Sequence, residues 1–192
     1  ETEVVDMPVL MLAAGLVAAG AVFLAAMAWL LRDVAKLDKP VVARLMWTIF
    51  AAGLVARLLL MTSEPILESD YQRYLWDGAV VAEGLNPYLK SPSEIGTHAT
   101  EGPLQSLKEQ AGPVFSRINH KDLTTIYPPL TEAAFALANL VSPFNLFAWR
   151  SVLLLADLAT FALLLFALDV LGRSRVWSAL YWWNPVLLKE IY

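Results

Sequence analysis

The residues of this sequence that could do chemistry are concentrated between Ile66 and Leu89. Glu68, Asp70, Arg73 and Asp77 bring three carboxylates and one guanidinium close together there. A carboxylate can act as a general base on a hydroxyl, and a fixed cation can stabilise a phosphate. The spacing also has an ordinary explanation. An acid in a first helical turn favours the helix dipole, and an Arg and an Asp four residues apart form a surface pair.

The surrounding residues predict that this stretch is an amphipathic helix from Ser69 to Glu83. Ser69 followed by Gln72 is a capping-box pattern, and Gly84 before Asn86-Pro87 is a stop signal. The predicted apolar face consists of Tyr71, Tyr74, Leu75, Gly78, Val81 and Ala82. A helix of this kind lies in the lipid headgroup layer, with its aromatic side chains in the boundary and its charges toward water. We therefore expect the charged side chains at the depth of a lipid phosphate.

The composition indicates an integral membrane protein. Hydrophobic residues make up 58% of the chain and charged residues 17%, against about 45–50% and 25% in soluble domains. Residues 7–31 carry no charge, and about 20 apolar residues are enough to span a bilayer. The net charge of −4 comes without a basic tract, which argues against nucleic-acid binding. The chain has no cysteine, which excludes disulfides and a thiol nucleophile.

Apolar runs predict five hydrophobic helices, so the expected fold is an all-α polytopic transmembrane bundle. The runs cover residues 8–31, 41–61, 128–141, 146–171 and 176–188. They divide the chain into two membrane helices at 1–61, an outer loop with amphipathic juxtamembrane helices at 62–127, and further membrane helices at 128–192. The acidic N-terminus is untypical of a signal peptide. The missing initial Met and the apolar ending lead us to expect a longer, C-terminally truncated protein.

The basic residues predict how the chain is oriented. Four Lys or Arg residues lie between residues 32 and 44, and the positive-inside rule places this turn in the cytoplasm and the 62–127 loop outside. Two full crossings between residues 128 and 171 would place Arg173 and Arg175 outside, against the same rule. Either the 128–141 helix does not cross fully, or the rule fails at that turn. Arg57, near the end of the second helix, is expected to snorkel toward the interface.

A second polar stretch, Asn119-His120-Lys121-Asp122, precedes the return to apolar sequence. On composition alone it is a polar turn before a helix. His98 lies in a stretch rich in Gly, Ser and Thr and is expected in solvent. Two histidines without a ligand spacing do not support a metal site, so no cofactor is predicted, although a divalent metal stays open.

Several motifs follow one another in a fixed order. They are "ESDYQRYLWDGAVVAEGLNPY" at 68–88, "INHKDLTTIYPPL" at 118–130, "RSVLLLADLATF" at 150–161 and "WWNPVLLKEIY" at 182–192. Together they resemble the membrane-embedded glycosyltransferases of the GT-C superfamily, and most of all the bacterial, polyprenyl-phosphate-sugar-dependent, mannosyltransferase-like branch. There an acidic residue opens the first outer loop, a Gly-Asn-Pro-Tyr-type element follows, and Pro-Pro-Leu marks the return to the membrane. Asp70, residues 84–88 and residues 127–130 match these features.

The resemblance implies transfer of a sugar from a polyprenyl-phosphate donor to a hydroxyl of a lipid or glycan acceptor, on the outer face of a bacterial inner membrane. It implies Asp70 as the general base, with Glu68 as its substitute. It places Arg73 and Lys121 at the phosphate, His120 at the phosphate or the acceptor, and Asp77 where it orients Arg73. The full set of substrate-binding candidates is Glu68, Arg73, Tyr74, Asp77, His120, Lys121 and Tyr127. Tyr71 and Trp76 would pack on the isoprenoid or sugar beside Tyr74.

Two other functions stay open. A transporter or lipid flippase would use Arg150 and Asp157, two charges inside an apolar run, as pathway residues. A structural contact with the loop or with Arg57 explains these charges equally well. Transporters typically have inverted repeats and broken midplane helices, and the sequence predicts neither. The third function is that of an assembly subunit whose loop only binds a partner.

Overall fold

The computed structural model describes residues 9–63, 65, 69–97 and 102–191. These residues form helices and turns, and no strand occurs among them, which confirms the predicted all-α class. The α-helices are α1 (Val9–Arg32), α2 (Lys39–Leu60), α3 (Tyr71–Ala82), α4 (Pro92–Thr97), α5 (Pro103–Ala111), α6 (Pro113–Ser116), α7 (Pro129–Val141), α8 (Leu146–Val170), α9 (Ala179–Trp182) and α10 (Pro185–Ile191). Short 3₁₀ turns occupy Val34–Lys36 and Arg175–Ser178.

Three described helices, α1, α2 and α8, are long and apolar enough to cross a membrane. α7 has only 13 residues and is therefore about 20 Å long, short of the roughly 30 Å hydrocarbon layer. This length supports the alternative in which the 128–141 helix does not cross the membrane fully. The last apolar run is also not one helix, because it breaks before Pro185. Proline lacks the backbone N–H that a helix interior requires and is tolerated in a first turn.

The chain divides into two compact units, and the first comprises the residues up to Thr62 together with those from Ala156 onward. Its hydrophobic core consists of Met27, Val34, Ile49, Phe161, Val176, Ala179 and Trp182. The Trp182 indole stacks on Phe50 with 5.9 Å between ring centroids. It fits beside α2 because residue 53 is glycine: a Cβ there would lie 2.2 Å from Trp182 Cδ1. The break in the last apolar run thus inserts a tryptophan against the middle of α2.

Arg57 is completely buried in this first unit. Its Nε donates to Asp157 Oδ2 at 2.5 Å, and its Nη1 donates to the carbonyl oxygen of Trp182 at 2.8 Å. Tyr181 donates its hydroxyl to Asp157 Oδ1 at 2.7 Å. The prediction that Arg57 snorkels is wrong, since its charge is balanced inside the unit. Both structural contacts left open for the two intramembrane charges form: Asp157 pairs with Arg57, and Arg150 donates to the carbonyl oxygen of Ser63 in the loop at 2.5 Å.

The second unit, Ser63–Leu155, is arranged around α3. One core cluster of this unit contains Trp76, Ala79, Val80, Ile95, Leu107, Ala111, Phe115 and Ile118. Trp76 meets Phe115 edge to face at 4.7 Å, so it lies inside the core and does not face a ligand as the resemblance implied. On another side α3 contacts α7 closely, because a Cβ on Gly78 would lie 2.4 Å from the carbonyl oxygen of Phe135. α3 is therefore enclosed by protein on several sides.

This enclosure corrects the predicted amphipathic pattern of α3. The buried residues of the helix include charged Arg73 and Asp77 as well as Leu75 and Trp76. The expectation that these two charges face water in a headgroup layer is wrong, because neighbouring elements cover them. The stop signal is confirmed by Gly84, whose φ of 73° lies in the left-handed region that favours glycine.

The predicted capping box at the start of α3 does not form. Asp70 is the residue that precedes the helix, and its side chain makes no capping hydrogen bond. The Ser69 hydroxyl is instead the acceptor of a hydrogen bond from the side-chain amide of Asn119. A contact with a residue far away in sequence has replaced the local one.

Candidate functional site

Asp70, the predicted general base, lies half-buried directly before α3. Among the described residues, no hydrogen bond or ion pair to its carboxylate is found. A carboxylate at a helix N-terminus lies where the helix dipole favours negative charge. The side chain is thus partly accessible and its oxygens are open to a hydroxyl donor.

Residues 119–127, which we call the strap, form no helix or strand and lie against the start of α3. Asn119 reaches Ser69, the residue before Asp70. The carbonyl oxygen of Lys121 accepts from the backbone N–H of Ser93 at 2.8 Å. His120 has a positive φ of 48°, an uncommon conformation for a residue with a side chain. The candidates His120 and Lys121 therefore directly follow Asn119, the residue that contacts Ser69.

The Lys121 ammonium group has a local partner. Its Nζ donates to the carbonyl oxygen of Ser116 at 2.7 Å, at the end of α6. It also lies 5.7 Å from the centre of the Phe115 ring. These contacts direct the cation without neutralising it, because a carbonyl oxygen and an aromatic ring carry no net charge.

Arg73 and Asp77 form a buried pair, not the surface pair that the spacing also allowed. Their exposed fractions are 8% and 1%. Arg73 Nε lies 2.8 Å from Asp77 Oδ2 and 2.9 Å from Oδ1, and its Nη1 donates to the Leu123 carbonyl oxygen at 3.0 Å. Burial raises the pKa of Asp77, although the charge and hydrogen bond of Arg73 lower it. Arg73 thus connects α3 to the strap, with its charge balanced by Asp77.

Glu132, in the first turn of α7, was missed by the sequence analysis. It is 2% exposed, and its Oε1 accepts a hydrogen bond from Thr125 Oγ1 of the strap at 2.6 Å. Its Oε2 has no hydrogen-bond partner among the described residues. The pKa of Glu132 is raised to about 7, mainly by burial and also by the nearby Asp77 carboxylate, against the opposing effects of the Thr125 hydrogen bond and the Arg73 charge. An acid directly after Pro-Pro-Leu-Thr in an otherwise apolar run was the available signal.

Aromatic rings of α3, the strap and α7 pack against one another in the same unit. Tyr74 stacks on Phe135 at 4.8 Å and meets Tyr127 edge to face at 5.3 Å. The carbonyl oxygen of Tyr127 accepts the Tyr88 hydroxyl at 2.6 Å. Burial raises the pKa of the Tyr127 hydroxyl, so this group stays a neutral donor near pH 7. Tyr74 and Tyr127, both predicted as substrate residues, are therefore in direct contact.

Two residues from the sequence analysis, Glu68 and His98, lie outside the described residues. Within the described part of the chain, no three His, Asp or Glu side chains are grouped as a metal ion would require. The second unit thus brings together Asp70, the strap and the Tyr74–Tyr127 pair. Chemically, this arrangement offers a carboxylate acceptor, a cation and neutral hydroxyl donors.

Comparisons of the chain with protein-family models, with curated proteins and with solved structures find no match.

Proposed function

We propose that the chain is part of a membrane glycosyltransferase that moves a sugar from a polyprenyl phosphate to an acceptor hydroxyl. The observation that carries this proposal is the Asn119–Ser69 hydrogen bond. It joins the loop of His120 and Lys121 to the chain at Asp70, so that a candidate base and candidate phosphate ligands come from neighbouring segments. The three apolar helices support a membrane location for the reaction.

In this reaction the acceptor hydroxyl attacks the anomeric carbon of the sugar. Asp70 takes the hydroxyl proton as the new carbon–oxygen bond forms. The bond between the anomeric carbon and the phosphate oxygen breaks, and the polyprenyl phosphate leaves with the bonding electron pair. Lys121 and His120 stabilise the negative charge on that phosphate. Asp70 then releases its proton to water, which returns the site to its starting state.

Arg73 contributes to this function in a different way from Lys121. A bound phosphate would have to compete with Asp77 for a guanidinium that is already balanced and buried. Lys121 carries no such acidic partner in its described contacts. We therefore assign the phosphate contact to Lys121 first and to Arg73 second, and Tyr74 and Tyr127 to the sugar or isoprenoid.

The proposed topology has the 62–127 loop on the outer face of a bacterial inner membrane. With α7 too short to cross, the crossings are α1, α2 and α8. Three crossings return the chain to the side of the first turn, so Arg173 and Arg175 join Arg32 and Arg44 in the cytoplasm. This arrangement removes the conflict with the positive-inside rule and supports the orientation.

The decisive test is Asp70→Asn in the full-length protein, reconstituted with a polyprenyl-phosphate sugar. Loss of a general base costs on the order of 10²–10⁴ in rate, so we expect turnover to fall by that factor with donor affinity retained. The substitution breaks no capping bond, because the Asp70 side chain makes none. Asp122→Asn, an exposed acid in the strap, is the matched control and should transfer normally. Normal turnover in Asp70→Asn would refute the assignment of the base.

A transporter or lipid flippase is the second candidate, and one observation favours it. Arg57 and Asp157 form a buried ion pair between two candidate spans, and the last apolar segment breaks beside them. Intramembrane charges and broken helices are features of transport pathways. The test is the movement of a labelled lipid across vesicles containing the full-length protein. Movement that is lost in Asp157→Asn but intact in Asp70→Asn would favour transport over transfer.

A further inference from the structure

The strap is held in place by side chains from different elements of the second unit. Arg73 of α3 donates to the Leu123 carbonyl oxygen, and Tyr88 donates to that of Tyr127. Between these two points, Thr125 is bound to Glu132 of α7. Thr125 is buried, whereas Thr124 and Ile126 on either side of it are exposed. Thr125 is therefore the side chain of this part of the strap that reaches into the interior.

The Thr125–Glu132 contact has features of a strong and specific attachment. At 2.6 Å it is short for a hydrogen bond between two oxygens, and both side chains are buried, so each would be left unsatisfied without the other. Glu132 is enclosed, and the other charged groups acting on it are Arg73 and Asp77 of α3. Thr125 Oγ1 is also the acceptor for the backbone N–H of Tyr127 at 3.4 Å. One threonine thus links Glu132 to the backbone of a residue proposed to contact substrate.

We infer that Glu132 is a positioning residue: through Thr125 it holds the strap in the arrangement in which Lys121 and Tyr127 receive the phosphate-linked sugar. This role rests on the proposed function and adds to it a residue that the family motifs did not indicate. Glu132 itself does not contact the reacting atoms. It acts because a strap without secondary structure loses conformational entropy on binding unless it is already ordered.

The experiment compares Thr125→Val with Thr125→Ser in the full-length protein. Valine keeps the shape of threonine and removes the hydroxyl, whereas serine keeps the hydroxyl. Removing the hydroxyl leaves a buried carboxyl oxygen without its partner, which costs about 1–3 kcal/mol, or roughly a 5- to 150-fold change in an equilibrium. We expect amide hydrogen exchange across 123–127 to accelerate by about that factor in Thr125→Val. KM for the polyprenyl-phosphate sugar should rise with a smaller change in kcat, and Thr125→Ser should retain both values.

Glu132→Gln provides a second arm, because its amide oxygen can still accept from Thr125. It should keep the slow exchange and the low KM, whereas Glu132→Ala should behave like Thr125→Val. Unchanged exchange in Thr125→Val, or faster exchange with unchanged KM, would overturn the positioning role. If the wild-type protein transfers sugar, but Thr125→Val and Glu132→Ala leave hydrogen exchange and KM unchanged, the proposed function stands and the positioning role is refuted. If the wild-type protein transfers none, both are refuted.

Discussion

The two units each contain a buried arginine–aspartate pair, and the pairs are built in different ways. Arg73 and Asp77 are one helical turn apart on α3. Arg57 and Asp157 are separated by 100 residues and join α2 to α8. Arg57 is also enclosed by Trp182, whose ring centre lies 3.5 Å from the guanidinium carbon. The first pair follows from helix geometry alone, whereas the second exists only when distant helices have packed.

This difference has an energetic consequence. Removing one partner of a buried pair leaves an uncompensated charge, and the cost depends on how easily the remaining group can be neutralised or hydrated. Asp157 lies in a candidate membrane span, where little water is available. Asp77 lies in a unit with an exposed strap. Burial has already raised its pKa, which favours its neutral form. We expect the two units to respond unequally to the same substitution.

The largest expected effect is that of Arg57→Met. Breaking a fully buried pair costs about 3–5 kcal/mol, which should lower the free energy of unfolding of the first unit in detergent by that amount. The double variant Arg57→Met/Asp157→Leu should regain most of the loss, since it buries no unpaired charge. Arg173→Met, at an exposed arginine, is the control. A double variant no more stable than Arg57→Met would contradict this account of the pair.

Arg73→Met should cost less, about 1.5–3 kcal/mol, the range for hydrogen bonds to charged groups. Asp77 can take up a proton when its partner is removed, so the loss should be smaller at low pH than at neutral pH. Denaturant unfolding at both pH values measures this. Arg117→Met, at an exposed position in the same unit, is the control. Equal losses for Arg57→Met and Arg73→Met would remove the distinction between the two pairs.

Two glycines test the packing of the same units. Gly78→Ala should destabilise by about 1–3 kcal/mol, because its Cβ would meet backbone atoms of Phe135 within 2.5 Å. Gly53→Ala should fall in the same range or slightly below it, since the Trp182 side chain that it meets can shift more easily than backbone. Gly20→Ala, with no atom within 4 Å of the added Cβ, is the control. Thermal midpoints of the three variants provide the comparison, and a neutral Gly78→Ala would contradict the close approach of α3 and α7.

The smallest effect concerns the pH dependence of the second unit. Because the folded-state pKa of Glu132 is raised to about 7, the protonated form favours the folded state. This stabilisation is complete below the ordinary value of 4.5 and is lost as the pH rises through about 7. We expect the unfolding midpoint of the wild type to fall over that window and to fall less in Glu132→Gln. If the unfolding midpoints of the wild type and Glu132→Gln changed in parallel with pH, Glu132 would not titrate as described.

The sequence by itself determined the properties that depend on local patterns. Apolar runs predicted the candidate membrane helices, since about 20 predominantly apolar residues suffice to cross a bilayer, and α1, α2 and α8 lie where these runs are. Gly84 predicted the end of α3, because few other residues adopt a positive φ readily. The pairing of Arg73 with Asp77 also followed from their spacing. None of these features requires knowledge of what the segment packs against.

The tertiary structure alone decided which groups are buried and which distant residues meet. The capping box was lost because Ser69 binds Asn119, a partner that no local pattern contains. Arg57 does not snorkel because α8 and the broken last segment bring Asp157 and Trp182 to it. Glu132 acquired its place beside Thr125 because α7 packs on α3 through Gly78. Burial and long-range hydrogen bonds depend on how helices pack, and a one-dimensional pattern does not specify that packing.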